Sequence, residues 1–149
     1  MELHDQIGLL LRDKGSQVWH ILPTAFVYDA IELMAEKKIG ALLVISEGHV
    51  VGIVSERDYA RKVILKGKSS HDTQVQEIMS SPVVYVTPKH TVGECMSVMT
   101  EHRIRHLPVL DGKTVVGVLS IGDIVKWVIS AQEETINQLH SYITGRYPG

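Results

Sequence analysis

The chain carries one short element twice: Gly-x-x-Ser-x-x-Asp, as GIVSERD at residues 52–58 and as GVLSIGD at 117–123. Two chemistries suit it. A serine followed three residues later by an acidic residue is a capping-box-like helix start, in which hydroxyl and carboxylate each satisfy a backbone N–H; the serine's part is worth about 1 kcal/mol. The same helix N-terminus offers N–H donors and the positive end of a dipole to a phosphate. An aspartate there can accept hydrogen bonds from both hydroxyls of a ribose, as acidic residues do in dinucleotide sites. A glycine three residues before the serine lets backbone and ligand approach closely. Gly52, Ser55 and Asp58, and likewise Gly117, Ser120 and Asp123, are candidates both for helix caps and for a nucleoside-phosphate site.

The elements that must position these residues are also written twice. Shifted by 65 positions, the chain aligns with itself without a gap: Pro23 meets Pro88, Val27 meets Val92, Met34 meets Met99, and Ile39 meets Ile104. Leu42 and Val44 meet Leu107 and Val109, and Val50-Val51-Gly52 meets Val115-Val116-Gly117. Two units are too few for a solenoid, which needs at least three, so a pseudo-twofold pair covering each other's apolar faces is expected. Each unit reads strand, helix, strand, strand, helix. AFVYDAIELMAEKK has Ala30, Ile31, Met34 and Ala35 on one helical face. ALLVIS (41–46) is a continuous apolar run of the buried-strand type, and VVGIVS (50–55) pairs with it as a hairpin. RDYARKVILKG is a helix with Tyr59, Val63 and Ile64 apolar, stopped by Gly67. In the second unit TVGECMSVMTEH is the helix, HLPVL and TVVGVLS are the strands around the Asp111-Gly112 turn, and DIVKWVIS closes.

KGKSSHDTQ (66–74) is polar and breaks the pattern, as a linker does. The ends do not repeat. DQIGLLLRD reads as a short helix with Ile7, Leu10 and Leu11 on one side, and QEETINQLHSYITG as a C-terminal helix with Ile136, Leu139 and Ile143 on one face. The expected division is a helix at 1–13, a first repeat at 14–70, a linker at 71–76, a second repeat at 77–134, and a C-terminal helix and tail at 135–149.

With its G-h-h-S-x-x-D element after the last strand, the repeated βαββα unit resembles a tandem pair of cystathionine-β-synthase (CBS) domains, over roughly residues 14–131. Ile78-Met79-Ser80 before the second unit, VTPKHTV at its first helix and HRIRHLPVLD (102–111) carry the resemblance further. It implies an α/β (α+β) fold of two βαββα repeats packed as a pseudo-twofold pair with flanking helices. It also implies two clefts between the repeats for adenosine-containing ligands: AMP first, with ADP, ATP, NAD(H) or S-adenosylmethionine as alternatives. On that resemblance Asp58 and Asp123 hold ribose hydroxyls, with Ser55 and Ser120 at the ribose or phosphate. Gly40-Ala41 and Arg105-His106-Leu107-Pro108, where the second strand begins, border the base and the phosphate path. The backbone of Val18 and Val83 reads the adenine edge, and Ser16 and Ser80 join from the segments leading into each unit. The copies differ: Arg57 becomes Gly122, whereas Gly40-Ala41 becomes Arg105-His106. Arg57 and Arg105, with Arg61 and Arg103, are therefore candidates for unequal phosphate contacts, arginine being suited to bidentate anion binding.

Composition narrows the classes. A net charge of −2 steers the chain neither to nucleic acid nor to an anionic membrane. The single cysteine excludes an intramolecular disulfide, and on an apolar helix face with Met96 and Met99 it reads as a buried structural thiol. No apolar run reaches the ~20 residues of a membrane span, and MELHDQIGLLLRDKG is a poor signal peptide, so a cytoplasmic protein is expected. His102 and His106 have metal-ligand spacing, but a strand begins between them; no metal is expected. Trp19 suits packing between the units better than stacking on an adenine. No catalytic constellation appears.

The reading that follows is a non-catalytic sensor of adenine nucleotides, homodimeric on family precedent, acting on an unidentified regulated protein. The alternatives are a structural homodimerisation module with vestigial clefts, and a fragment of a nucleotide-handling enzyme such as inosine-monophosphate dehydrogenase, for whose barrel the chain has no room.

Overall fold

A computed structural model describes residues 2–15 and 17–143. In chain order the elements are a 3-10 turn Glu2–His4, α1 (Ile7–Lys14), β1 (His20–Ile21), α2 (Val27–Lys37), β2 (Ala41–Ser46) and β3 (His49–Ser55). There follow α3 (Glu56–Tyr59), running into a π-helical turn Ala60–Ile64, a 3-10 turn Val75–Glu77, α4 (Val92–His102), β4 (His106–Asp111), β5 (Thr114–Ser120) and α5 (Ile121–Ile143). The described residues fall into two compact units, one drawn from 17–85 and 112–116, the other from 1–16, 86–111 and 117–149. These units cut across the repeat boundaries expected from the sequence.

In the unit of the first repeat, β2 lies between β1, to which it is parallel, and β3, to which it is antiparallel. Central placement explains why Ala41–Val44 are all buried and why the run is continuously apolar. Glu47 and Gly48 both have positive φ, 52° and 79°. That is the pattern of a two-residue type I′ hairpin, whose twist matches the strands. From α2, Val27, Ala30 and Met34 enter the core and Ile31 packs at its edge, while Ala35, expected on this face, is exposed. After α3 the π turn takes one residue more per hydrogen-bonded turn. Val63 stays in the core, but Ile64, expected beside it, is 55% exposed.

In the unit of the second repeat, α1 buries Ile7, Leu10 and Leu11, as its spacing requires, and α4 buries Val92, Cys95 and Met99. Leu107, Val109, Leu119 and Ile124 supply the rest from β4, β5 and α5. The opening strand of the βαββα pattern is reduced here to one parallel bridge, Val86 to Val109. The closing helix and the C-terminal helix are one continuous α5 of 23 residues. Along it, Ile136 and Leu139 are exposed.

The expected linker is docked, and what docks reveals a second repeat. Val27 N–H donates to the Thr73 carbonyl (2.8 Å), Val75 N–H to Ala25 (2.8 Å), and Gln76 N–H to Pro23 (2.9 Å). In the other unit Val92 N–H donates to Asp5 (2.8 Å), Ile7 N–H to His90 (2.9 Å), and Gly8 N–H to Pro88 (3.0 Å). Asp5, Ile7 and Gly8 thus do for the second repeat what Thr73, Val75 and Gln76 do for the first, 68 positions on. The N-terminal segment does repeat, in a register shifted by three, and each copy serves the repeat that its place in the chain does not suggest.

Candidate ligand site at the two Ser-x-x-Asp turns

Both serines end a strand and begin a helix, and both capping boxes are formed. Ser55 N–H donates to Asp58 Oδ2 (2.9 Å) and Asp58 N–H to Ser55 Oγ (3.2 Å). Ser120 N–H donates to Asp123 Oδ2 (2.8 Å) and Asp123 N–H to Ser120 Oγ (3.1 Å). The starts of the second strands lie alongside. Glu56 N–H donates to the Gly40 carbonyl (3.0 Å), with Ala41 opposite Ser55 in the sheet, and Ile121 N–H donates to the Arg105 carbonyl (2.9 Å). Within each unit, then, the fold brings the strand start, the serine and the aspartate to one helix N-terminus.

Each aspartate also meets a lysine that the motif did not single out. Lys62 Nζ lies 3.1 Å from Asp58 Oδ1, one helical turn on, and donates to the Ile78 carbonyl at 2.9 Å. Lys14 Nζ, from the last turn of α1, lies 2.6 Å from Asp123 Oδ2 and also donates to the Val118 carbonyl. Lys62 was visible as an i, i+4 partner; Lys14, 109 residues from Asp123, carries no such signal. Burial raises the Asp123 carboxyl, but hydrogen bonds from Lys14 and Ser120 outweigh it and hold the group below the usual carboxylate value. Burial, then Lys14 and Arg105, lower His106 against the opposing pull of Asp123, which favours its neutral form.

The remaining candidates are distributed as follows. Arg57 and Gly40 are half-buried in the first-repeat unit; Val18 stands just before β1, and Ser80 bridges Ile53 of β3 in both directions (3.1 and 2.9 Å). Val83 is half-buried in the same unit, and Ser16 lies outside the described residues. In the second-repeat unit Arg105 and Gly122 are exposed and His106 half-buried, whereas Leu107 and Pro108 are buried. Trp19 packs on the core of its own unit with the Lys37 ammonium 4.3 Å from its ring centroid. Trp127 donates to Asp5 Oδ2 at 3.0 Å. Cys95 is fully buried, and burial, followed by Glu94, pushes its thiol up to about 12, as an inert structural thiol requires.

The motif glycines have a different job from the one expected. A Cβ on Gly52 would lie 2.5 Å from Met79 Sδ and 3.0 Å from the Ser80 carbonyl oxygen; one on Gly117 would lie 2.8 Å from Leu11 Cδ2. The close approach is made by the docked segments, not left open for a ligand.

Two βαββα units, each closing on a capped Ser-x-x-Asp turn, are the architecture of CBS repeats. The CBS-domain model matches residues 15–65 and 75–130, and the chain belongs to that family. It is 41% identical over 138 residues to the mitochondrial CBS domain-containing protein CBSX3 of Arabidopsis thaliana, covering 89% of this chain and 66% of that protein. Among solved structures, a CBS-domain protein of Burkholderia ambifaria is 53% identical with a TM-score of 0.83, over 86% of this chain and 96% of that one. The hexameric CBS-CP12 protein of bloom-forming cyanobacteria is 38% identical with a TM-score of 0.70, over 74% and 65%. The chain thus spans about two-thirds of the Arabidopsis and cyanobacterial relatives. Stand-alone CBS-domain proteins are generally non-catalytic regulatory modules. Among the described residues no helix is long and apolar enough to cross a membrane.

Proposed function

We propose that this chain is a non-catalytic regulatory module whose Ser-x-x-Asp turns take the ribose of an adenosine-containing ligand. The observation that carries the reading is the state of the two carboxylates. Each is pinned through Oδ2 by its own capping box, yet each side chain remains partly exposed, 14% for Asp58 and 20% for Asp123. An ionised carboxylate has about four acceptor positions, so the cap fixes the group without exhausting it. AMP is the first candidate, with ADP, ATP, NAD(H) and S-adenosylmethionine behind it. Arg57 has a glycine, Gly122, as its counterpart, and Arg105 has Gly40, which favours unequal phosphate contacts. A ligand that binds one conformation or assembly better shifts the population towards it. Assembly into a homodimer, acting on a regulated protein in the cytoplasm, completes the reading, and the cyanobacterial relative, a hexamer, supports self-association.

A second reading has its own support: both capping boxes are complete without a ligand, as a purely structural dimerisation module requires. Calorimetry and thermal shift with AMP, ADP, ATP, NAD, NADH and S-adenosylmethionine separate the two. A ligand at 100 Kd adds about 2.7 kcal/mol of stability, and Asp58→Ala or Asp123→Ala removes that gain at its own site. If nothing binds to nucleotide-free protein, the turns are caps alone.

A further inference from the structure

We infer that Lys14 is a tethered competitor for the second turn: its ammonium is paired with the Asp123 carboxylate that a ribose would need, so that a ribose binds there against this ion pair. The inference rests on the ligand reading above and goes beyond it, because it assigns the difference between the two sites to a residue outside the motif.

The geometry separates the two lysines. Lys14 reaches Asp123 from a different element and bonds to Oδ2, the oxygen that Ser120 N–H already holds, while a second hydrogen bond ties it to the Val118 carbonyl on β5. Its helix is fixed in place: Ile7, Leu10 and Leu11 are buried, and Leu11 packs against the face of β5 at Gly117. The pair is therefore pre-positioned, and less entropy is spent in forming it than for two free side chains. Lys62 is a helix-surface i, i+4 partner of Asp58 at the longer distance of 3.1 Å. It uses Oδ1 and, like Lys14, also donates to a backbone carbonyl, that of Ile78. Pairs of that kind contribute little. The depressed Asp123 carboxyl agrees with a firm cation contact. A neutral ribose arriving at Asp123 exchanges a charged partner for uncharged hydroxyls, whereas at Asp58 it meets a weaker competitor.

The test is calorimetric titration of the full chain with adenosine, which has the ribose and no phosphate, and with AMP. Lys14→Met is compared with wild type, Lys62→Met, Asp58→Asn and Asp123→Asn. Lys14 is part-exposed, so the substitution is compatible with folding, and circular dichroism checks it. Lys14→Met should tighten adenosine at the second site about two- to fivefold, the range expected for a partly exposed ion pair. Lys62→Met should change the first site less than about twofold, and Asp123→Asn combined with Lys14→Met should cancel the gain. Lys14→Gln, which keeps a donor without the charge, should fall between. Independently of ligand, the Asp123 carboxyl carbon should titrate at higher pH in Lys14→Met than in wild type. Unchanged or weaker adenosine binding in Lys14→Met, with Asp123→Asn still harmful, overturns the competitor role and leaves the ribose reading intact. If no variant binds either compound, both fall together.

Discussion

Replacing Gly52 and Gly117 by alanine tests whether the motif glycines serve the docked segments. At Gly52 the new methyl meets Met79 Sδ at 2.5 Å, Met79 Cγ at 3.0 Å and the Ser80 carbonyl oxygen at 3.0 Å. The thioether can swing aside, but Ser80 is bridged to Ile53 through both its N–H and its carbonyl and cannot. Overpacking of this kind costs about 1–3 kcal/mol, offset by about 0.4–1 kcal/mol from the stiffer unfolded chain. The net expected loss for Gly52→Ala is roughly 1–2 kcal/mol. At Gly117 the methyl meets only the far end of Leu11, at 2.8 Å from Cδ2 and 3.5 Å from Cδ1. A rotamer change relieves that, so the two terms nearly cancel and Gly117→Ala should lie within about 0.5 kcal/mol of wild type. Urea unfolding followed by far-ultraviolet circular dichroism reads both. Met79→Ala in the Gly52→Ala background should recover part of the loss, because Ser80 still opposes the methyl. A harmless Gly52→Ala, or a Gly117→Ala that costs more, refutes the packing account and returns these glycines to the ligand.

Four further outcomes follow from individual groups. Thr91→Ala removes the hydroxyl that accepts from Glu94 N–H at the start of α4 and should cost about 0.5–2 kcal/mol in urea unfolding. The Asp123 carboxyl is depressed in the fold, so its contribution is complete above the unfolded value of about 3.9 and is lost as pH falls through the lower folded value. The stability gap between wild type and Asp123→Ala should therefore be flat from about pH 5 to 7 and close on further acidification, and a gap that widens in acid contradicts this. Cys95 should resist a thiol reagent at pH 8 in the native protein and react only on unfolding, given its burial and raised thiol. His106 should titrate below the ordinary histidine value of about 6.5 by NMR, and Lys14→Met should raise its midpoint by removing a neighbouring cation.

Local pattern made most of the fold legible. ALLVIS announced a buried strand and HLPVL a strand, the spacing of Ile7, Leu10 and Leu11 announced the buried face of α1, and Ser-x-x-Asp announced both capping boxes. What stayed hidden depends on contacts far apart in the chain. The π turn moved Ile64 off its expected face, a one-residue change that no apolar period records. The pairing of residues 5–8 with the second repeat escaped the 65-residue register, because its counterpart at 73–76 lies 68 positions on and shares only the Gln6/Gln74 identity and the apolar pair Ile7/Val75. Lys14 could not be tied to Asp123 without knowing that α1 packs against β5. The glycines were legible as places of close approach, but what approaches them was not.

The exchange of docking segments has a consequence for biosynthesis. Residues 17–85 hold nearly everything the first-repeat unit needs in one stretch, including the 73–79 segment that covers it. The apolar face of α1 precedes its partners on β5 and α5 by about a hundred residues, roughly 5–20 s at ordinary elongation rates. During that interval Ile7, Leu10 and Leu11 have no native core to enter. A nascent chain of this protein therefore makes the apolar face of α1 well before the core that covers it, and the second-repeat unit closes only once its last elements are synthesised.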